Sequence, residues 1–286
     1  MARIGVQLMT VREQVRELGV TEVLRRLADA GLPVMEVSQV AMTEENVAAM
    51  ERARGELGIE YGALSGTMEP ARPGGNPSLL DDYDDVVSQC RRLGASRVRI
   101  GMMPLQAMRD AESILAFCAQ AEQVAQRLAD DGIQLSYHHH HLEFARVDGR
   151  QVMDMINSEA PSLAWEIDVH WVARGGADPV RTLQRFAPKV DLVHLKDFRV
   201  SLPPLEVLDA VAAGDRQAWG QFSSNPVQFA EVGTGNLQWG PIIEAGLAAG
   251  AQYLFIEQDD TYGRDPFEAL AASRAALADL GYEHLL

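Results

Sequence analysis

Eight short runs of β-branched and aromatic residues alternate along this chain with longer segments whose apolar residues recur at helical spacing, and this alternation is the strongest constraint on its fold. The runs fall at residues 4–8, 34–38, 60–64, 97–100, 133–137, 163–168, 190–195 and 253–257. Helices are expected over 20–30, 44–57, 81–93, 107–129, 150–157, 179–186, 241–249 and 266–280. Glycines at 31, 58, 94, 132 and 250 stand at helix-to-strand joints, where a left-handed residue ends a helix cheaply. Eight βα units with no long linker and no break in composition specify an α/β fold, a closed (βα)8 TIM barrel, as one domain over 1–286. An open dinucleotide-binding sheet is disfavoured, because Thr10, Val11, Arg12 and Glu13 occupy the turn where a glycine-rich fingerprint would stand. One segment departs from the repeat: an inserted loop at 201–230 after the seventh strand, with Pro203, Pro204, Asp215, Trp219 and Pro226. It is expected to act either as a lid that brings Trp219 and Phe222 over a substrate or as an oligomer contact.

A length of 286 residues suits a single α/β barrel with a sizeable core. The net charge of -16 argues against a nucleic-acid partner, which needs clustered Lys and Arg. No apolar stretch approaches the roughly 18 residues of a membrane span. Only Cys90 and Cys118 are present, both in expected helices, so a disulfide framework is not expected and a reducing, cytoplasmic location is. The three residues before Ile4 are too few for a signal peptide.

Active sites of (βα)8 barrels lie at the C-terminal ends of the strands, and here those ends are polar. Gln7 closes the first strand, followed by Thr10 and Arg12; Glu36, Ser65 and Arg99 mark the next three. The fifth ends in four consecutive histidines, His138 to His141, with Glu143 two residues on. Asp168 and His170, His194 and Lys196, and Glu257 and Asp259 follow on strands six to eight. Alternation makes His138 and His140 the inward pair of the run, and His139 and His141 solvated or structural. Asp168, His194 and Glu257 then converge as ligands for a divalent ion, with the fourth ligand from Glu143 or, alternatively, His138 or His140. Oxygen and nitrogen ligation without thiolate suits Mn²⁺, the leading choice, and also Mg²⁺, Co²⁺ or Zn²⁺. Gln7, Arg12, Glu36, Arg99, His170 and Trp171 are the candidate substrate contacts, although Glu36 is also placed to pair with Arg99.

Several segments together are similar to the sugar phosphate isomerase/epimerase family. They are Gly5 to Leu8 with Thr10 to Arg12, Tyr137 to Phe144, Asp168 to Trp171 with Asp178 and Pro179, Val193 to Asp197, Glu231 to Gly235, and Ile256 to Asp259. The resemblance implies a xylose isomerase-like barrel whose metal site maps onto Glu143, Asp168, His194 and Glu257, with His170 and Lys196 near the substrate. In the family's epimerases the first metal carboxylate comes from the fifth strand itself. Here His138 stands in the comparable place and Glu143 follows later, which leaves His138 or His140 as a candidate base.

The shared chemistry is abstraction of a C–H proton beside a carbonyl through a metal-stabilised enediolate. The expected function is isomerisation or epimerisation of a sugar or keto-sugar, with His140, or alternatively Glu257, as base and Lys196 stabilising the oxyanion. The alternative is a dehydratase or β-eliminating lyase acting on inososes or 3-keto sugars. An endonuclease of the same barrel type would need histidines on strands two to four and a basic face, and both are missing from the sequence. A non-catalytic sugar-binding protein is a further class. The Glu231 to Gly235 turn could cradle a phosphate, but a tight turn explains it as well, so a neutral sugar, keto-sugar or cyclitol ranks above a sugar phosphate. A homo-oligomer is left open.

Overall fold

The structure, a computed structural model, describes residues 2–70, 72, 75–224 and 226–286. Eight parallel strands close into a barrel: β1 (Arg3–Gln7), β2 (Val34–Val37), β3 (Glu60–Gly66), β4 (Arg97–Ile100), β5 (Gln134–His138), β6 (Ala164–Asp168), β7 (Val190–Leu195) and β8 (Tyr253–Ile256). The seam is the β1/β8 pairing, with Val6 opposite Ile256. All eight strands stand where the periodicity predicts, and helices alternate with them outside. Helix Pro179–Phe186 shows why its start was legible: Asp178 accepts a hydrogen bond from the Arg181 amide, and Pro179 sits in the first turn, where no amide donor is needed. The two cysteines are free and buried. Among the described residues no helix is long and apolar enough to cross a membrane.

The barrel interior is built in layers, because alternation sends every second side chain of a strand inward. Val34, Ala63, Leu192 and Phe255 form a small apolar cluster, separate from the main core between barrel and helices. Phe255 stacks on Tyr253 with ring centroids 5.7 Å apart. Gly62 makes room for this pair, since a Cβ there would stand 2.9 Å from the Phe255 ring. Two residues further along the same strands the inward side chains become charged, with Glu36 above Val34 and His194 above Leu192. Two residues beyond these stand Ser38 and Lys196.

Three elements differ from expectation. Residues 10–13 belong to a 3-10 turn, Leu8–Val11, and to a helix, Arg12–Leu18, that Gly19 separates from the next one. A short helix, Val169–Arg174, starts directly on Asp168, whose Oδ1 accepts from the Trp171 amide at 3.0 Å. The 201–230 segment is structured: an antiparallel ribbon, Asp197–Val200 with Val227–Ala230, carries helices Leu205–Ala212 and Arg216–Ser224. Neither helix has a buried residue, and Leu202, Leu205, Leu208 and Trp219 are exposed on this excursion.

A Cβ on Gly5 would lie 2.5 Å from the Val34 carbonyl oxygen, whereas one on Gly55 meets nothing within 4 Å. Gly5→Ala should therefore destabilise by about 1–3 kcal/mol through overpacking. Gly55→Ala, in the last turn of helix Glu44–Leu57, should stabilise by up to about 1 kcal/mol. Urea unfolding of both variants checks the contrast.

Candidate metal centre and cavity

His138, Asp168, His194 and Glu257, from the ends of four neighbouring strands, each offer one ligand atom within 4.8 Å of the others, and all four are buried. His138 Nε2 lies 3.5 Å from Asp168 Oδ2, His194 Nδ1 lies 3.6 Å from the same oxygen, and His194 Nδ1 lies 2.8 Å from Glu257 Oε2. Atoms bound about 2.1 Å from a common ion stand roughly 3–4 Å apart. The tautomers fit as well. His138 Nδ1 donates to the Gly101 carbonyl at 3.0 Å and His194 Nε2 donates to Glu36 Oε2 at 2.8 Å, so in each ring the nitrogen facing the centre is free to ligate. Among the described residues, His138 Nε2, Asp168 Oδ2, His194 Nδ1 and Glu257 Oε2 are buried without a hydrogen-bond partner. Buried polar atoms are rarely left in that state, and four of them converging on one point fit a metal ion.

Beneath this group lies a second buried layer. Arg99 Nε is 2.6 Å from Glu36 Oε1 and 3.4 Å from Glu166 Oε2, and Arg99 Nη2 donates to Ser38 Oγ at 2.9 Å. Glu36, Glu166 and His194 could also ligate a cation, but Arg99 already supplies the positive charge there. Burial, and then the charge of Glu36, push Glu166 up to about 7. Burial opposes ionisation of Glu36 too, yet Arg99 and His194 outweigh it and hold Glu36 down to about 2. In the metal-free protein burial also opposes a charge on His194, but Glu166, Glu257 and Glu36 prevail and raise its pKa well above the ordinary value. Five carboxylates, Glu36, Glu166, Asp168, Glu257 and the partly exposed Asp259, face only Arg99 and Lys196 as permanent cations, and protons or a divalent ion must balance the excess negative charge.

Lys196 is 2% exposed, and its Nζ donates to Asp259 Oδ2 at 3.1 Å and lies 2.8 Å from Glu257 Oε2 and 3.4 Å from Asp168 Oδ2. Burial works against its charge, but Glu257, Asp168 and Asp259 together keep it protonated. Gln7 is buried and donates to Glu257 Oε1 at 2.9 Å. His138, His140, Lys196, Glu257, Gln7 and Arg99 open onto one cavity of about 700 Å³ that extends over the β1 to β4 side of the barrel mouth. His170 and Trp171 back this group from the other side: Lys196 Nζ is 5.1 Å from the Trp171 ring centre, and His170 packs on Phe198 and Phe229. Glu36 stays under the floor. Arg12 turns away, donating to the Met9 carbonyl at 3.0 Å beside Glu13.

The structure places Glu143 outside the ligand group. Its Oε1 accepts from the Tyr137 hydroxyl at 2.6 Å and its Oε2 from the His140 amide at 2.8 Å, so both oxygens are occupied, and it is His138 that stands with Asp168, His194 and Glu257 in the group that could hold an ion. The reason is local: β5 ends at His138, and Glu143 lies in a 3-10 turn where strand alternation no longer applies. His139 is buried and structural, its Nδ1 donating to the His140 carbonyl and its Nε2 accepting from the Asp168 amide at 3.2 Å; His141 is exposed. Trp219 and Phe222 face each other at 6.1 Å and do not line the cavity.

The Glu231 to Gly235 turn does hold an anion, and it belongs to the chain. Asp197, fully buried, accepts from the Gly233 and Gly235 amides at 3.1 Å, from Trp239 Nε1 at 2.8 Å, and from the Phe198 and Leu237 amides. Gly233 supplies the positive φ of 86° this turn needs. The reading of the strand ends passed over Asp197. The available signal was a carboxylate directly after the buried Lys196 with a glycine-rich turn to receive it.

No family model and no curated protein matches the sequence. Solved structures do match over nearly the whole chain. A sugar phosphate isomerase/epimerase from Parabacteroides distasonis superposes with a TM-score of 0.73 at 17% identity, covering 97% of this chain and 98% of that one. The probable 3-DHS dehydratase AsbF from Bacillus anthracis gives 0.70 at 14%, covering 97% and 99%. An L-ribulose 3-epimerase gives 0.69 at 16%, covering 100% and 96%. The fold is therefore the xylose isomerase-like (βα)8 barrel, which the sequence resemblance implied.

Two outcomes follow. Asp197→Ala strands five donors and should cost about 3 kcal/mol or more in urea unfolding. Burial lowers His138, His139 and His170 to about 4 and His140 to about 2. The unfolded chain takes up these protons below about pH 6.5, so stability falls as pH drops from there toward 4, by on the order of 1 kcal/mol per pH unit for each histidine. His194, raised, has the opposite sign: its contribution is present below about pH 6.5 and fades above. Urea midpoints of the metal-free protein at pH 7, 6 and 5 should decrease in that order.

Proposed function

We propose that this protein is a divalent-metal-dependent enzyme that moves a C–H proton beside a carbonyl, isomerising or epimerising a sugar or keto-sugar. The observation that carries this reading is the convergence of four buried ligand atoms that make no hydrogen bond, with His138 and Glu257 of the four lining a cavity. His138, Asp168, His194 and Glu257 would hold the ion, with Mn²⁺ the leading choice for two imidazoles and two carboxylates, ahead of Mg²⁺, Co²⁺ or Zn²⁺. A divalent ion bound there supplies a Lewis acid and an anchor for adjacent substrate oxygens.

The chain's own groups do the rest. His140 lines the cavity, and its Nδ1 is buried without a partner. Kept neutral by its burial, His140 can take the proton on its imidazole and return it to the neighbouring carbon on the same face, while epimerisation needs a second acid to deliver a proton from the opposite face. Lys196 lies beside Glu257 and Asp259 as a fixed positive charge against which an enediolate oxygen can form. Glu143 holds the His140 backbone, and Gln7 orients Glu257. The internal anion at Asp197 supports a neutral sugar or cyclitol over a sugar phosphate, because that turn is already filled.

Elimination is the second reading, favoured by the same histidine. His140 could take the C–H proton and pass it to the departing β-oxygen as the C–O bond breaks, giving dehydration of an inosose or release of an aglycone from a 3-keto glycoside. The acidic chain, the lack of histidine on β2 to β4 and the Arg99-filled second layer speak against a multi-zinc nucleic-acid enzyme. Two free buried cysteines suit a reducing cytoplasm, and the exposed leucines of the 201–224 excursion offer a contact for a homo-oligomer.

His138→Gln should lose Mn²⁺ affinity by about 10-fold or more in metal titration, whereas Glu143→Gln should retain the metal. His140→Gln should keep the metal and lower kcat by roughly 10²–10⁴-fold. Proton NMR in D₂O against keto-sugars, inososes and 3-keto glycosides separates the outcomes. Deuterium in an isomeric product supports isomerisation or epimerisation, loss of water or aglycone selects elimination, and no metal-dependent C–H exchange on any of them overturns both.

A further inference from the structure

The cavity is larger than a sugar needs, and one of its walls is apolar. Its volume of about 700 Å³ is that of roughly twenty liquid waters, about three times the space of a twelve-heavy-atom hexose. His138, His140, Lys196 and Glu257 line its floor. Met9, Met102, Met103, Pro104 and Leu105 line the β1 and β4 side.

This wall is held in place from the site itself. His138 Nδ1 donates to the Gly101 carbonyl at 3.0 Å, and the Met103 amide donates to the Tyr137 hydroxyl at 3.0 Å. Tyr137 in turn donates to Glu143, which also receives the His140 amide. Met102 is thus suspended between two pinned residues, yet its side chain is 38% exposed at the cavity. Leu105 opens a 3-10 turn, Leu105–Met108, whose Ala107 and Met108 pack on the core while Leu105 stays 62% exposed. A fixed backbone that holds apolar side chains toward a polar cavity leaves their surface free for a ligand. Thioethers favour an aromatic ring over a bare alkyl group.

We propose that the Met102 and Leu105 wall is a subsite for a flat apolar substituent, so that the substrate is a sugar or cyclitol carrying an aryl-type group rather than a free monosaccharide. The polyhydroxylated half sits on the floor and the aryl half on this wall. This rests on the proposed reading for which half faces the metal, but the wall's preference can be measured apart from any turnover.

The probes are phenyl and methyl β-D-glucopyranoside, titrated into the Mn²⁺-loaded protein with saturation-transfer NMR on the phenyl protons. The phenyl glucoside should bind at least about ten-fold more tightly, the effect of burying one ring. The double variant Met102→Asn, Leu105→Asn should reduce that ratio to near unity. Both residues are exposed, so the variant should fold and keep its Mn²⁺ affinity; the single variants carry the comparison if it does not. Equal affinities, no saturation transfer to the ring, or a preference that survives the substitutions would overturn the subsite. Loss of Mn²⁺ binding or of metal-dependent C–H exchange in the unmodified protein, with the phenyl preference intact, would instead remove the proposed reaction and leave the subsite standing.

Discussion

The contact on which the rest of the site depends is the buried ion pair of Arg99 with Glu36, 2.6 Å apart inside the barrel. Carboxylates from two strands and an imidazole from a third meet at this level, and without a cation they would repel one another in a medium too poor in water to screen them. Arg99 is always charged and faces both carboxylates with its Nε, so it fixes the layer at any physiological pH. Glu36 then accepts from His194 Nε2, and this one hydrogen bond turns the ring so that Nδ1 faces Asp168 and Glu257 in the candidate metal centre. The geometry of the candidate ligands is therefore set one layer below them.

That charged layer stands on an apolar one. Val34, Ala63, Leu192 and Phe255 fill the barrel beneath it, with glycines at 5 and 62 giving space to backbone and rings. Packing of this kind excludes water from below, and the same exclusion drives the His138, His139, His140 and His170 pKa values down and the Glu166 value up. The ionic character of the centre and its sensitivity to acid have the same physical origin.

Two buried carboxylates serve as fasteners. Glu143 joins the His140 backbone to Tyr137 and, through it, to the Met103 loop, so the candidate base and the apolar wall share one support. Asp197 gathers five donors and binds the start of the 197–230 excursion to the turn at Gly233 and Gly235. Each is buried and satisfied, and each restrains a loop at the mouth of the barrel without reaching the reacting centre.

Within the strands the sequence was legible residue by residue. Glu36, Arg99, Asp168 and His194 could be placed inward because alternation is a property of extended backbone alone, and the eight-unit repeat left only a closed barrel to hold them. Past a strand's last residue that rule lapses. His138 still obeys it, while Glu143, in a turn, answers to Tyr137 and His140; Arg12 begins a helix and turns away. In the 201–230 segment Leu205, Leu208 and Val211 recur at helical spacing, but the run is short and follows two prolines, so the ribbon and helices are not expected from periodicity alone. The sequence by itself determined the barrel and the set of side chains at its mouth, since both follow from local periodicity. Only the tertiary structure decided which of them meet, because that depends on hydrogen-bond partners contributed by other strands, far away in sequence and adjacent only once the barrel closes.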